Sequence, residues 1–394
     1  MKSRYEVVVI GDGPAGNVAA FEAARAGVKT LLLEENLNVG IPVQCGEGVS
    51  DNVFQNFGLR PTKDIVSREV HKFKVIFPNG TFIYMKSKGF VLNRDRFDQY
   101  LADRAVDAGA ELYTSAKVTT INPKSRTINV NFKGESREIN AEVIIGCDGV
   151  KSNVAAWAGL RDHKRWVSSL VRAYEYRVKG IETEAVEAYI LPEISPGGYC
   201  WVFPKEDSVN VGIATIAKNS KERLNMFINK FGLKGQIEKV IAGAIPSKGP
   251  IKKTFTDGIL IAGDAAGHTN PIFFGGIYTA MICGRLAGSV ASEALIHEDT
   301  SSKFLRVYED RWRGLPLADP ILLEAARVIY SMSAARLNKI GSLFGGKEIT
   351  QLRRLEKLIL FSKILLPKNW SVLVMLNDFN KMIKGLKITK RWGW

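Results

Sequence analysis

Glycines at positions 11, 13 and 16 spell G-x-G-x-x-G, and Glu34 stands eighteen residues after the last of them. This spacing suits a dinucleotide. Gly11 permits a tight turn, Gly13 lets backbone N–H groups approach a pyrophosphate, and Gly16 lets a helix pack closely on a strand. A carboxylate at position 34 can accept hydrogen bonds from a ribose diol. A thiol follows in Gln44-Cys45-Gly46-Glu47-Gly48, a small-residue loop that would pass the far end of such a cofactor. Cys45 is there either a proton donor or a packing residue, since most lone cysteines are small buried hydrophobes. In the stretch Pro196 to Pro204, Tyr199, Trp201 and Phe203 alternate, so one strand face carries three aromatic rings. That face is either a core ladder or the wall of an apolar substrate pocket. Lastly, Gly263-Asp264 ends the apolar run that begins at Gly258, where a carboxylate can hold a polyol hydroxyl.

The elements that must position these groups follow from periodicity and breakers. Tyr5 to Ile10 is a continuous β-branched run ending at glycine, the pattern of a buried parallel strand. An alanine-rich helix to Ala26 follows, stopped by Gly27, and Lys29 to Leu33 gives a second strand. The helix N-terminus brings partial positive charge to bound phosphates. Val66 to Met85 alternates around Pro78-Asn79-Gly80, a hairpin that interrupts the dinucleotide fold. Arg94 precedes a helix from Asp95 to Ala108; Val118 to Ile121 and Thr127 to Phe132 read as meander strands. Glu142 to Cys147 is a buried strand ending in Asp148-Gly149, and further strands are expected at Val167 to Arg177, Glu187 to Ile190 and Ser208 to Ile216. A helix from about Ile277 to Leu295 would start at Gly276, its N-terminus pointing at a phosphate or a polar ring edge. Residues 301–394 are helical in pattern, with breaks at Gly345-Gly346 and Pro367. The expected organisation is α/β. Residues 1–65, 93–160 and 255–300 form a discontinuous dinucleotide-binding domain, 66–92 and 161–254 an inserted antiparallel β-sheet substrate domain, and 301–394 a helical C-terminal region.

At 394 residues the chain can bury two or three cores. No signal peptide is expected, because the first strand begins at Tyr5. No apolar run is long enough for a transmembrane helix. The four cysteines (45, 147, 200, 283) are scattered, with no C-x-x-C; this argues against zinc and iron–sulfur sites and fits a reducing cytoplasm. Net charge is +15, and from Leu352 to Trp394 ten Lys/Arg face two acids, interleaved with Leu, Ile, Phe and Trp. That tail suits either an anionic membrane surface or a solvated helical face. No nucleic-acid-binding module surrounds the charge.

Gly11-x-Gly13-x-x-Gly16 with Glu34, then Cys147-Asp148-Gly149, then Gly263-Asp264 together resemble the FAD-binding fold of the p-hydroxybenzoate hydroxylase type, within the glutathione-reductase superfamily. Pro196-x-Gly198-Tyr199-x-Trp201-x-Phe203-Pro204 resembles the signature of the geranylgeranyl reductase family, as do Pro42-Val43-Gln44-Cys45-Gly46 and Arg94-x-x-Phe97-Asp98. The archaeal digeranylgeranylglycerophospholipid reductases are the branch it looks most like, over residues 1–300. The resemblance implies FAD, with Ala15 by the pyrophosphate and Glu34 on the adenosine ribose. Cys45, Gly46 and Gly48 would lie along the flavin, Arg94 at the cofactor, and Val118 near the adenine. Asp264, Gly276 and Ile277 would hold the ribityl chain and isoalloxazine. Asp12, a carboxylate inside the phosphate loop, and Cys147, in place of the usual alanine, depart from the family pattern.

The function so implied is saturation of geranylgeranyl C=C bonds in membrane-lipid precursors. An isolated trisubstituted alkene has no carbonyl to stabilise added hydride. Protonation and hydride delivery from reduced flavin must therefore act together in an apolar, water-free pocket. Tyr199 and Trp201 are expected to shape that pocket and Cys45 to be the functional thiol. With one dinucleotide motif, the electron donor must visit, and ferredoxin, NADPH or a reduced deazaflavin all fit. The expected location is cytoplasmic, peripheral at the inner face of the membrane. The alternatives are an aromatic monooxygenase of the same fold, or an electron-transfer flavoprotein serving a membrane quinone.

Overall fold

Two eight-stranded sheets organise the chain, whose computed structural model describes residues 1–350 and 376–392. The first sheet contains β1 (Arg4–Ile10), β2 (Thr30–Leu33), β6 (Glu111–Tyr113), β7 (Ala116–Asn122), β8 (Thr127–Phe132), β9 (Glu135–Gly146), β15 (Phe255–Thr256) and β16 (Ile259–Ile261). Its main path runs β15-β16-β9-β1-β2-β6, and β16, β9, β1, β2 and β6 are parallel neighbours. β7 and β8 form an antiparallel meander on β9. Val7, Val8 and Val9 are fully buried, as the unbroken β-branched run requires.

The second sheet contains β3 (Gly48–Ser50), β4 (Val66–Ile76), β5 (Phe82–Leu92), β10 (Leu170–Lys179), β11 (Val186–Tyr189), β12 (Cys200–Pro204), β13 (Val209–Thr215) and β14 (Gln236–Pro246). The order is β14-β10-β13-β12-β11-β4-β5-β3, antiparallel except for β11 beside β4.

Among the described residues the helices are α1 (Pro14–Arg25), α2 (Asn52–Phe57), α3 (Arg94–Asp107), α4 (Asn153–Trp157), α5 (His163–Val167), α6 (Ser220–Phe231), α7 (Ile277–Ile296), α8 (Ser302–Arg313), α9 (Pro320–Ser331), α10 (Ala334–Phe344) and α11 (Leu376–Trp392). α1 and α7 cross closely because glycine faces backbone: a Cβ at Gly284 would lie 2.2 Å from the Ala15 carbonyl oxygen, and one at Gly288 2.4 Å from that of Ala19. α8 is tied to the first sheet, Tyr308 donating to the Ile261 carbonyl (2.9 Å) and Trp312 to Thr254 Oγ1 (3.0 Å). α9, α10 and α11 contribute to the second sheet's core through Leu322, Leu337, Met382 and Leu386. α11 comes close to α9 at Gly385, where a Cβ would meet Ala325 Cβ at 2.6 Å.

Three local features differ from expectation. Residues 163–167 are helical, because the Asp162 carboxylate caps the Arg165 N–H (2.7 Å), and the strand expected from Val167 starts at Leu170. α6 and β14 occupy a stretch whose pattern announced neither. Of the basic C-terminal tail, residues 351–375, 393 and 394 lie outside the described residues; within α11, Met382 and Leu386 are buried and Lys381 pairs with Glu324 (3.1 Å). Among the described residues no helix is long and apolar enough to cross a membrane.

Candidate active site

The carboxyl ends of β1, β2 and β9 converge on a cleft of about 540 Å³, lined among others by Gly11, Gly13, Glu34, Arg94, Val118 and Asp148. A ligand of an open parallel sheet binds at these strand ends. Gly11 has φ +96°, and a Cβ there would come within 2.5 Å of the Cys147 carbonyl oxygen, so only glycine makes this turn. At Gly16 a Cβ would lie 1.8 Å from the Gly11 carbonyl oxygen. Gly13 behaves differently: a Cβ there would meet no atom of the described residues within 4 Å, and its φ of −66° is ordinary. The packing of the described chain therefore does not require glycine at 13, and the position is open to an approach from the cleft. The α1 N-terminus behind it has no side-chain cap and no acid in its first turn, leaving its N–H groups for an anion.

Glu34 is buried, and its Oε1 accepts from the Asn36 backbone N–H (2.8 Å) and side-chain amide (2.6 Å). Its Oε2 accepts from the Asp12 N–H at 3.3 Å. Burial, then the adjoining Glu34 charge, push the Asp12 carboxyl up to about 9. This favours the neutral form of the acid, which would lessen its repulsion of a pyrophosphate. Its Oδ2 is buried and has no hydrogen-bond partner among the described residues.

At the far end of the cleft, Glu47 organises the Cys45 loop. Its φ of +69° is carried by a side chain that is almost fully buried. Glu47 Oε2 accepts from Arg177 Nη2 (2.5 Å), Lys205 Nζ (2.8 Å) and Asn210 Nδ2 (2.8 Å), and Oε1 from the Arg94 N–H (3.2 Å). Burial works against its charge, but Lys205 and Arg177 prevail and hold the carboxyl below the usual range. Asn210 also donates to the Gly46 carbonyl (3.2 Å), and Lys205 to that of Leu92 (2.6 Å). Arg94 makes a two-pronged pair with Asp98 (3.1 and 2.8 Å). Cys45 Sγ accepts from the Glu47 N–H (3.2 Å); burial raises its thiol pKa, opposed by Arg94. Gly48 starts β3, paired with Val91.

The aromatic strand lies against this loop. A Cβ at Gly46 would sit 3.3 Å from both Trp201 Nε1 and the Phe203 ring. Trp201 also lies on Gly212 of β13, where a Cβ would come within 2.2 Å of the indole. Trp201 Nε1–H donates to Glu175 Oε2 (2.8 Å), and the Tyr199 hydroxyl to the Phe273 carbonyl (2.6 Å). The Tyr199 ring packs 5.6 Å from those of Trp201 and Phe274. At the α7 N-terminus a Cβ on Gly276 would stand 3.1 Å from Asp264 Oδ1. Burial raises the Asp264 pKa, and Thr269 donates to its Oδ1 (3.3 Å).

Gly11, Gly13, Glu34, Arg94 and Val118 thus share one cleft. Cys45, Gly46, Tyr199 and Trp201 form a neighbouring group around the Glu47 loop. Asp264, Gly276 and Ile277 meet at the start of α7. Ala15 and Gly16 lie within the α1 packing and do not line the cleft. Glu175, Arg177, Lys205 and Asn210 were not anticipated, and Glu47 and Asp98 stood within quoted motifs without a role. A buried acid beside a catalytic-looking cysteine was the signal available for Glu47; for the others only the fold brings them together.

The family model for the FAD-dependent oxidoreductases matches residues 6–168, and that for the geranylgeranyl reductase catalytic domain matches residues 168–245. The digeranylgeranylglycerophospholipid reductase 2 of Methanopyrus kandleri is 34% identical over 387 residues, covering 94% of this chain and 98% of that protein. The corresponding protein of Methanothermobacter thermautotrophicus is 36% identical, covering 98% of this chain and 99% of its own. A geranylgeranyl bacteriochlorophyll reductase-like protein from Thermoplasma acidophilum superposes with a TM-score of 0.85 at 27% identity, covering 95% of this chain and 99% of that one. The fold is therefore of the glutathione-reductase and p-hydroxybenzoate-hydroxylase type, and an uncapped helix N-terminus, a free approach at Gly13 and the Glu34 carboxylate at the end of β2 fit FAD. With its cleft, its aromatic strand and relatives matched nearly end to end, this chain belongs to the family of FAD-dependent digeranylgeranylglycerophospholipid reductases.

Proposed function

We propose that this enzyme saturates the C=C bonds of geranylgeranyl chains in an archaeal-type ether phospholipid precursor. The observation that carries this reading, beyond the family, is the apolar continuity behind the aromatic strand. Tyr199, Trp201, Phe273 and Phe274 belong to one buried cluster that extends to Val75, Ile83 and the α9–α11 helices. A cavity of only about 20 Å³ lies along this seam, bordered by side chains such as Phe77, Phe273, Ile329 and Met382. These side chains would have to part for an isoprenoid to enter, but the lining offers no polar group to a small polar aromatic, which weighs against the monooxygenase reading.

The division of labour follows from the residues. The α1 N-terminus and Gly13 would bind the pyrophosphate of FAD, Glu34 the adenosine ribose, and Asp264 with Gly276 the ribityl side. Reduced FAD supplies the hydride. The Glu47–Arg177–Lys205 cluster holds the Cys45–Gly48 loop in place, and Trp201 and Tyr199 exclude water beside it. Exclusion of water matters because the cationic character that develops on a protonated alkene would otherwise be captured by it.

A basic cavity of about 790 Å³ supports an anionic partner. Among the described residues, Arg161, Arg165, Lys248, Lys252, Arg313 and Arg327 line it against the single acid Asp162. It adjoins the Asp264 turn, because Ile251 in its wall donates to the Ala266 carbonyl (2.9 Å). A lipid phosphate fits such a surface. The electron donor, whether ferredoxin, NADPH or reduced deazaflavin, is anionic as well, and the net charge of +15 favours a peripheral position on an anionic membrane.

The test is incubation of dithionite-reduced protein with a geranylgeranyl ether lipid, read by mass spectrometry. The expected result is a gain of two hydrogens per double bond. FAD-replete protein that leaves the lipid unchanged, but hydroxylates an aromatic with stoichiometric oxygen use, would favour the monooxygenase instead.

A further inference from the structure

Glu175 lies within β10, on the sheet face that meets the Cys45 loop, and is 2% exposed. Its Oε2 accepts the Trp201 indole N–H at 2.8 Å. Its Oε1 is fully buried and has no hydrogen-bond partner among the described residues. A carboxylate held this way would leave half its charge unsolvated, whereas a carboxylic acid needs less compensation. The cations nearby offset its burial only in part, because Arg177 and Lys205 both bond to Glu47 and not to Glu175.

The groups acting on Glu175 come from every neighbouring element. They are Glu47 and Cys45 from the loop before β3, Arg177 from β10, Trp201 and Tyr199 from the β12 segment, and Lys205 just after it. Arg94 of α3 lies beyond Cys45. Through Trp201, whose indole nitrogen sits against Gly46, the Glu175 carboxyl is one hydrogen bond away from the loop that would run along the flavin.

We propose that Glu175 is the proton donor of the site, its Oε1–H supplying the proton that joins one alkene carbon while the hydride joins the other. The proposal rests on the reductase reading given above. The π pair of the C=C bond forms the new C–H bond as the Glu175 O–H bond breaks. The hydride and its electron pair come from reduced FAD, so the alkene gains two electrons and FAD loses two. The Glu175 carboxylate left behind regains a proton from water after the product departs.

The two other acids within reach suit the task less well. The Tyr199 hydroxyl is committed to the Phe273 carbonyl, and burial pushes its acidity further down. The Cys45 thiol is likewise raised by burial. Burial first, and the Glu47 charge second, push Glu175 up to about 8, so it stays protonated at neutral pH while remaining a stronger acid than the tyrosine.

Glu175→Gln keeps the shape and an acceptor for Trp201 but carries no acidic proton. In the full-length FAD-bound protein, this variant should retain FAD and its reduction by dithionite. It should lose about a hundredfold or more in the rate of geranylgeranyl-lipid reduction, the usual scale of general-acid catalysis, and Glu175→Asp should recover part of it. The wild-type rate should fall as pH rises through the acid's titration, and the residual Glu175→Gln rate should be flat there. Independently of turnover, infrared difference spectra should show a protonated-carboxyl carbonyl band at neutral pH that titrates away at alkaline pH and is missing in Glu175→Gln. A Glu175→Gln enzyme within about threefold of wild type with the wild-type pH profile, or a spectrum unchanged by the substitution, would overturn the donor role. If Glu175→Gln cannot retain FAD, the wild-type pH profile and the Glu175→Asp spectrum decide the matter. Wild-type protein that reduces no isoprenoid lipid would overturn the reductase reading instead, a failure visible without any variant.

Discussion

Gly13→Ala separates the needs of the fold from the needs of the cofactor. At Gly13 the backbone has φ −66° and an added Cβ would meet no atom of the described residues within 4 Å, so the apoprotein should accept alanine without strain. By narrowing the unfolded ensemble, the substitution should even stabilise the apoprotein, by about 0.4–1 kcal/mol. The same methyl projects where a pyrophosphate must approach the α1 N–H groups. Displacing it there forfeits at least one charge-assisted hydrogen bond, about 1.5–3 kcal/mol, or roughly ten- to a hundredfold in Kd for FAD. Gly16→Ala is the control, because its Cβ would stand 1.8 Å from the Gly11 carbonyl oxygen. Overpacking of backbone on backbone should destabilise the apoprotein by about 3 kcal/mol or more. Thermal melts of FAD-stripped protein and FAD titrations followed by flavin fluorescence give both quantities. Gly13→Ala with unchanged FAD affinity, or with an apoprotein as damaged as Gly16→Ala, would refute the assignment of the approach path.

Glu34→Ala should weaken FAD binding by roughly ten- to a hundredfold through loss of charge-assisted bonds to the ribose, and unchanged affinity in the same titration would place the ribose elsewhere. Lys205→Met leaves the buried Glu47 with Arg177 as its one cation among the described residues, beside the Asn210 amide and the Arg94 N–H; chemical denaturation should show a loss of about 3 kcal/mol, and a loss under about 1 kcal/mol would mean that the cluster relaxes. For Asp12 the native pKa, about 9, lies above the unfolded one, so the native state binds the extra proton and stability falls as pH rises between them. Asp12→Asn should therefore raise Tm more at pH 8 than at pH 5, and an equal gain at both would contradict a neutral Asp12.

The cofactor cleft was legible because its chemistry is local. Gly11, Gly13, Gly16 and Glu34 lie within one strand–helix–strand unit, and each residue type follows from a backbone demand. The aromatic alternation was legible too, but the choice between core ladder and pocket wall depended on what faces the rings: Gly46, Gly212 and Phe274 are distant in sequence. The buried cluster of Glu47, Glu175, Arg177, Lys205 and Asn210 was not legible. In sequence these read as ordinary polar positions on strands and loops, and only the second sheet folds them onto one another. β14 escaped notice because most of it is exposed at a sheet edge, with no two-residue alternation to mark it. α5 escaped because it is five residues long and marked only by its Asp162 cap, and the strand expected from Val167 begins at Leu170. Asp12, read as a charge in the phosphate loop, changes meaning once its burial beside Glu34 is known.

The most direct test of the central claim is a single-turnover experiment without oxygen. Enzyme-bound FAD is reduced with one equivalent of dithionite, mixed with geranylgeranyl ether phospholipid, and followed by the return of oxidised-flavin absorbance, with the lipid weighed afterwards. The prediction is flavin reoxidation matched by one saturated double bond per enzyme. Neither the fully saturated lipid nor a phenolic substrate should reoxidise the flavin. Flavin that stays reduced with the unsaturated lipid, or reoxidises equally with the saturated one, would contradict the assignment of this protein as a prenyl-chain reductase.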